Sequence, residues 1–352
     1  MAVVRRAADI PVLTPAMVRP SRADVDVVGV FNPAAIQFGG ETLLLVRVAE
    51  APRAVRGEVA ALVFDAGTGE LATRRWPLDT PGLDVSDARL IVSEGRTWLT
   101  SLSHLRVARS ADGLRFTVDD TPALAPATAL EAFGVEVARI THLDGLYWIN
   151  YTAVSRAGIA TALASTTDFR TFTRHGIIFP PNNRDVTIFP ERVGGRYVAL
   201  HRPMPEGIGT PAIWSATSPD MLAWGEHRLV ATARPGHWDD LKVGGGAVPF
   251  RVQAGGRDAW LAIYHGVTRE PLTYSLGALL LDIDDPSRVL GRSRAPILAP
   301  EASYEREGFF GGVVFTCGAV VTGDQVRVYY GAADGVTAVA DLSLAGILAD
   351  LA

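Results

Sequence analysis

Cysteine is almost absent: Cys317 is the only one in 352 residues. A lone thiol excludes an intramolecular disulfide and fits a reducing compartment. Its setting, Val314-Phe315-Thr316-Cys317-Gly318, reads as a buried inert thiol rather than a nucleophile. Long apolar runs are missing as well. Nowhere do about 18 apolar residues follow one another, and the short stretch after Arg5-Arg6 is broken by Pro11 and Pro15. A soluble cytoplasmic protein without membrane contact is the expectation. The net charge of −5 is spread as mixed acids and bases, so no basic stripe points to nucleic acid and a small-molecule partner is expected. The 7 histidines are scattered without paired spacing or companion cysteines, so no metal site is expected. Neither a Walker-type phosphate loop nor a Gly-x-Ser-x-Gly nucleophile elbow occurs.

Short strands are what the chain does have, and two stretches of them are copies of one another. Asp87-Ala88-Arg89-Leu90-Ile91 opens one, running to Phe116-Thr117; Val137-Ala138-Arg139-Ile140-Thr141 opens the other, running to Phe172-Thr173. Each passes through an apolar strand, an aromatic strand (Thr97-Trp98-Leu99-Thr100 or Tyr147-Trp148-Ile149-Asn150) and a third strand. A turn follows, Ser110-Ala111-Asp112-Gly113 or Thr166-Thr167-Asp168-Phe169. Further units of the same grammar follow over about 187–224, 246–292 and 311–340, and one precedes them over 30–76. About six units result, hardly any of them helical. Strand-rich units repeated at about 40 to 50 residues predict a β-propeller, because each small sheet needs neighbours to cover its faces. The all-β reading is therefore a single propeller domain over 1–352. Polar residues on the inner strands of such a fold converge on a central channel, where a ligand site is collected from many blades.

The densest polar cluster is Asn182-Asn183-Arg184-Asp185, followed by Phe189-Pro190-Glu191 and His201-Arg202-Pro203. Two arginines one strand apart can hold an anion through forked hydrogen bonds, although surface salt bridging explains such a cluster equally well. Lys242 precedes Gly244-Gly245-Gly246, where the backbone can approach a ligand closely. Tyr264-His265-Gly266 and Tyr274 belong to the next unit and Asp334 to the last. His201 or His265 taken alone reads more readily as a hydrogen-bonded structural histidine. Carboxylates near a channel suit glycoside chemistry, in which one protonates the leaving oxygen and another activates water. In phosphorolysis, phosphate replaces that water and cations replace the base.

The chain resembles glycoside hydrolase family 130, whose members act on β-mannosides. The resemblance runs from Val30-Phe31-Asn32-Pro33 to Tyr329-Tyr330-Gly331-Ala332-Ala333-Asp334. It is carried most specifically by Asp185-Val186-Thr187-Ile188-Phe189-Pro190-Glu191, Tyr197-Val198-Ala199-Leu200-His201-Arg202-Pro203, Lys242-Val243-Gly244-Gly245-Gly246 and Gly277-Ala278-Leu279-Leu280-Leu281-Asp282. It implies a five-bladed propeller, against the six units counted from the repeats, and an inverting enzyme, either phosphorolytic or hydrolytic. It also implies that Asn32, Arg47, Lys242, His265 and Asp334 surround the mannose ring, with Arg139 and Asp185 in the same substrate-binding set. Arg184, Arg202, Lys242 and Tyr274 look like the phosphate-binding set, with inorganic phosphate as co-substrate and no other cofactor. For a hydrolytic member, Glu191 is the expected activator of water.

Two departures from the family pattern bear on catalysis. The family's proton donor is an Asp in Glu-Asp-Pro-Arg, where this chain has Glu136-Val137-Ala138-Arg139, and Val cannot transfer a proton. The stretch 57–101 is an insertion relative to shorter members and carries Asp87 in Ser86-Asp87-Ala88-Arg89. Three outcomes are open: a mannoside-binding propeller disabled at Val137, an enzyme in which Glu136 or Asp87 supplies the proton, or one whose leaving group needs little protonation. The expected function is removal of β-linked mannose from the non-reducing end of short mannosides, releasing α-mannose 1-phosphate. A β-1,2-mannosidase and a catalytically impaired mannoside-binding protein are the alternatives. Exposed blade edges and the insertion also offer surfaces for a homo-oligomer.

Overall fold

The computed structural model describes residues 4–7 and 10–351. Runs of Val, Ile, Leu, Ala and aromatic residues, cut by Gly, Asp and Asn turns, form antiparallel strands grouped in five blades. Blade 1 takes Val25–Phe38, Glu41–Pro52, Leu102–Ser110 and Thr117–Val118; blade 2 takes Gly134–Leu143, Leu146–Ser155, Gly158–Thr166 and Thr173–Phe179. Blade 3 takes Asn183–Ile188, Tyr197–Pro203, Ile213–Ser218 and Gly225–Ala231. In blade 4, Lys242–Gly245 and Phe250–Ala254 both pair with Arg257–Thr268, which is followed outward by Thr273–Asp282 and Val289–Arg292. Blade 5 takes Val314–Thr322, Gln325–Ala332 and Val336–Ser343, and its outermost strand is Val4–Arg6 from the other end of the chain.

That last pairing closes the ring. It is reinforced by Arg6, whose Nε and Nη2 donate to the two oxygens of buried Glu305 at 2.9 and 2.7 Å, while the Tyr330 hydroxyl donates to Glu305 at 2.6 Å. The first strands of the blades pack on one another around the channel: Val25–Phe38 meets Val314–Thr322 and Gly134–Leu143, and Asn183–Ile188 meets Gly134–Leu143 and Lys242–Gly245. Between the blades lie apolar layers such as Leu43, Leu45, Leu105 and Val107 of blade 1 against Val135, Ile140 and Ile149 of blade 2.

The six units counted in the sequence reduce to five blades. Leu90–Ser93 and Arg96–Leu99 form a separate two-stranded hairpin, as do Glu58–Asp65 and Glu70–Pro77, and only Leu102–Ser110 and Thr117–Val118 join blade 1. A hairpin off the ring has the same strand-turn-strand pattern as one within it, so periodicity cannot separate them. The two hairpins pack through Ala61, Trp76, Ile91 and Trp98. Arg74 lies 5.0 and 4.7 Å over the two indoles, and Arg156 of blade 2 lies 4.7 Å over Trp98. The repeated turn after the third strand is real in blades 1, 2 and 3. There Asp112, Asp168 and Asp220 each accept two backbone N–H bonds from residues two and three positions on.

The innermost strands of blades 1, 2 and 3 share a bulge. Pairing skips two residues between Phe31 and Ala34, between Glu136 and Arg139, and between Arg184 and Thr187. The first extra residue is left-handed each time: Asn32 at φ 52°, Val137 at φ 34° and Asp185 at φ 56°. Asn and Asp tolerate this conformation, whereas a β-branched side chain does not, and such strain costs on the order of 1 to 3 kcal/mol. We expect Val137→Asn to stabilise the fold by about 1 kcal/mol, the relieved strain outweighing the lost apolar contact with Val313 and Phe315. Urea unfolding of the two proteins measures this directly; an unchanged or lower midpoint would contradict the strain at 137.

Candidate active site

Five blades deliver side chains to one cleft of about 200 Å³ at the channel mouth. Asn32 and Arg47 come from blade 1, Glu136, Val137 and Thr152 from blade 2, and Arg184, Asp185 and Arg202 from blade 3. Blade 4 adds Lys242, His265 and Tyr274, and blade 5 with its preceding loop adds Phe310, Val313, Phe315 and Asp334. The bulges explain the convergence. They turn Asn32, Val137 and Asp185 out of the alternation of their strands and toward the axis.

Arg184 and Arg202 are direct cross-strand partners, a placement that repels unless a counter-charge intervenes. Asp185 supplies it, with Oδ2 at 2.7 Å from Arg202 Nη2 and Oδ1 at 3.7 Å from Arg139 Nη2. Burial alone would raise the Asp185 pKa, but the cations around it, Arg202 foremost, hold it below the usual carboxylate range. The Nε groups of Arg184 and Arg202 are buried with no acceptor among the described residues. An unsatisfied buried guanidinium N–H is costly, so this pair is built to meet an oxyanion. Lys242 Nζ stands 5.0 Å from the centre of the Tyr274 ring beside them. His265 donates from Nδ1 to the Gly245 carbonyl at 3.3 Å, and burial pushes its pKa down to about 3, so its ring is neutral.

The other cleft residues form a second group. Arg47 donates through Nη2 to Glu136 Oε1 at 2.8 Å and through Nε to Ser103 Oγ at 2.8 Å, and lies 4.7 Å over the Phe31 ring. The buried Asn32 Oδ1 has no donor partner among the described residues. Burial raises the Asp334 pKa above the ordinary value, against the pull of Arg47.

Three residues expected at the site are not brought into the cleft. Glu191 points outward, receiving Arg251 Nε at 2.8 and 2.9 Å, and does not line the cleft. Asp87 is half-buried outside the cleft and clasped by Arg89, whose Nε and Nη2 donate to it at 3.0 and 2.7 Å. These bonds lower its pKa to about 2, so it carries no proton to give near neutrality. Arg139 is buried beneath the floor, donating to the carbonyls of Gly246 and Gly245 at 3.0 and 2.9 Å; it braces the site rather than lining it. The Gly244-Gly245-Gly246 segment likewise differs from its sequence reading. Its close approach is to its own blade and the neighbouring one: a β-carbon on Gly244 would strike the His265 ring of blade 4 and the Asp185 carboxylate of blade 3, and one on Gly245 the Asp185 carbonyl.

Arg89, Thr152, Phe310 and Phe315 line the cleft without having been singled out in the sequence. Arg89 alone had a signal, its place beside Asp87 in the insertion. Cys317 is buried behind the floor, and burial pushes its thiol pKa up to about 12.

A five-bladed propeller whose channel mouth combines a fixed cationic group with carboxylates and an amide is a glycoside-processing architecture, able to hold a sugar and an oxyanion side by side. The chain belongs to glycoside hydrolase family 130: the family model, described as beta-1,4-mannooligosaccharide phosphorylase, matches residues 88–351. A beta-1,2-mannobiose phosphorylase from Listeria innocua serovar 6a is 45% identical over 346 residues, 97% of this chain and 96% of that one. A 1,2-beta-oligomannan phosphorylase from Thermoanaerobacter sp. strain X514 is 37% identical over 249 residues, 70% of this chain and 80% of that one. The solved complex of a Listeria innocua beta-1,2-mannobiose phosphorylase with beta-1,2-mannobiose superposes with a TM-score of 0.93 at 44% identity, covering 99% of both chains.

Because Gly244 admits no β-carbon, Gly244→Ala is expected to displace His265 and Asp185 and reduce turnover by at least about 100-fold, as misplacement of about 1 Å does. Steady-state kinetics of a variant shown to be folded by circular dichroism checks this; near-normal kcat/KM would refute it.

Proposed function

We propose that the protein is an inverting phosphorylase of short β-1,2-linked mannosides, transferring the non-reducing mannosyl group to inorganic phosphate to give α-mannose 1-phosphate. The observation that carries this reading is the pair of buried, unpartnered Nε–H groups on Arg184 and Arg202 beside Lys242. Water as nucleophile has no use for three fixed cations. A phosphate dianion needs them, both to offset its desolvation and to orient one oxygen for in-line attack. The hydrolytic reading relied on Glu191, which is engaged by Arg251 outside the cleft. The names of the Listeria and Thermoanaerobacter relatives support both the substrate and the linkage.

A second reading is favoured by one residue. Val137 stands where the family's acid is expected, and a cleft that binds mannoside without turning it over is the consequence if no other group donates the proton.

Incubation with β-1,2-mannobiose, with and without phosphate, separates these readings. Mannose 1-phosphate formed only with phosphate is the expected result. Free mannose in both reactions would make the protein a hydrolase, and no product alongside saturable binding would make it a binding protein. The double variant Arg184→Ala/Arg202→Ala is expected to lose phosphorolysis by more than about 1,000-fold, since each lost charged hydrogen bond costs about 2 kcal/mol or more. Undiminished phosphorolysis would refute the role of these arginines.

A further inference from the structure

We propose that a second chamber beside the cleft is a subsite for an apolar group on the departing side of the substrate, so that β-mannosides whose departing sugar carries an alkyl or aryl substituent are preferred over free mannobiose. The inference rests on the phosphorylase reading above and names the class of substrate that the same site selects.

Position comes first. The chamber, of about 350 Å³, shares Arg47, Arg89, Glu136 and Asp334 with the cleft, whereas Arg184, Arg202 and Lys242 line only the cleft. An inverting displacement sets the attacking and departing oxygens on opposite faces of C1. With phosphate on Arg184, Arg202 and Lys242, the departing portion is directed to the side that the chamber occupies. The cleft itself is about 200 Å³, so the chamber has room for more than one further sugar ring.

The lining decides what it takes. The border shared with the cleft is charged and suits the hydroxyls of a departing sugar. Beyond it the walls are Val28, Phe31, Ala49, Ala51, Leu99 and Phe309, with only Thr100 and Ser101 adding side-chain hydroxyls. The Thr100 hydroxyl already donates to the Ala88 carbonyl at 2.9 Å. A further sugar ring there would bury hydroxyls without partners, which is costly, whereas an alkyl or aryl group gains by leaving water. Phe309 and Val28 are 55% and 45% exposed. Two large apolar side chains left facing solvent on the border of one cavity mark an apolar ligand better than scattered exposure does.

Backbone contacts hold these walls in place. Phe310 N–H donates to the Ala333 carbonyl at 3.0 Å, and a β-carbon on Gly308 would strike Ala333, so Phe309 is presented from an anchored loop. On the hairpin side, Thr100 N–H donates to the Arg89 carbonyl at 3.0 Å, which ties the end of the Arg96–Leu99 strand to the turn carrying Arg89. A β-carbon on Gly29 would strike the Phe31 ring, and Arg47 lies 4.7 Å over that ring. The chamber is therefore preformed, and an apolar group enters it at little cost in reorganisation.

The test is mannosyl transfer in the reverse direction, from α-mannose 1-phosphate to methyl β-mannoside or to hexyl β-mannoside. The acceptor oxygen bonds to C1 as the bond from C1 to the phosphate oxygen breaks, and the acceptor's hydroxyl proton leaves on the released hydrogen phosphate. The two acceptors differ only in the length of the alkyl chain. The kcat/KM for the hexyl mannoside is expected to exceed that for the methyl mannoside by at least about 10-fold, carried by KM, since burial of about two methylenes supplies as much. Phe309→Ser, at an exposed position, and Ala51→Trp, which fills the chamber from a half-buried one, are each expected to reduce that ratio to below about 3-fold. Circular dichroism establishes that both variants are folded. Equal kcat/KM on the two acceptors in the parent, or an undiminished ratio in either folded variant, would overturn the inference. A parent that transfers mannose to neither acceptor nor to free mannose would instead overturn the phosphorylase reading, and this inference with it.

Discussion

Asp185 carries one negative charge, 4% exposed, into a space that also holds Arg139, Arg184 and Arg202. Without it, three guanidiniums, two of them cross-strand partners and the third from the neighbouring blade, would repel one another in a medium that screens poorly. With it Arg139 and Arg202 are held at fixed distances, while Arg184 and Arg202 each keep an Nε–H without an acceptor among the described residues. The carboxylate reaches this place only because its residue is the left-handed member of a bulge. Backbone geometry, charge balance and anion recognition are therefore one arrangement, seen at three scales.

The glycines of blade 4 extend that dependence to the next blade. Gly244 and Gly245 give up side chains so that the strand can lie against His265, Asp185 and the blade 3 backbone, and Arg139 of blade 2 pins the carbonyls of Gly245 and Gly246 from below. Three blades are thus tied at the floor of the cleft by groups that need not touch a ligand. An Arg committed in this way costs desolvation, which its two backbone acceptors and the nearby Asp185 offset. The return is a rigid site. In a propeller assembled from independent small sheets, such cross-links fix the position of one blade's charges relative to another's.

Much of this was legible in the sequence, and the misreadings have physical causes. The repeating strand grammar gave the propeller, because burial of small sheets against one another leaves a periodic trace. It miscounted blades because the Leu90–Ser93 and Arg96–Leu99 hairpin follows the same alternation while packing off the ring on Trp76. Arg184, Arg202 and Lys242 were legible as a basic group, and the structure brings all three to one cleft. Glu191 was misplaced because side chains alternate along an extended chain, and a few residues beyond the bulge decide whether one faces the channel or Arg251. Arg139 was misassigned for a different reason: sequence distinguishes an arginine near a ligand from one below the floor only through the partner it chooses, here two glycine carbonyls 106 and 107 residues away.

Val137 makes the chemical problem of this chain specific. Its backbone is that of Asn32 and Asp185, left-handed in the same kind of bulge, so the shape suited to a polar side chain is retained although the side chain is apolar. The valine packs with Val313, Phe315 and Cys317, extending an apolar wall into a cleft that otherwise carries charge. An apolar wall displaces water, and in drier surroundings a carboxyl without a cationic hydrogen-bond partner shifts toward its neutral form. An aspartic acid at 137 would be a proton source while protonated and, once ionised, a second negative charge beside Glu136. Its replacement by valine removes one proton source while leaving the lining in which another carboxyl can keep its proton. Loss of the expected acid and a drier lining around the cleft carboxyls that remain, Glu136, Asp185 and Asp334, are in that sense a single change.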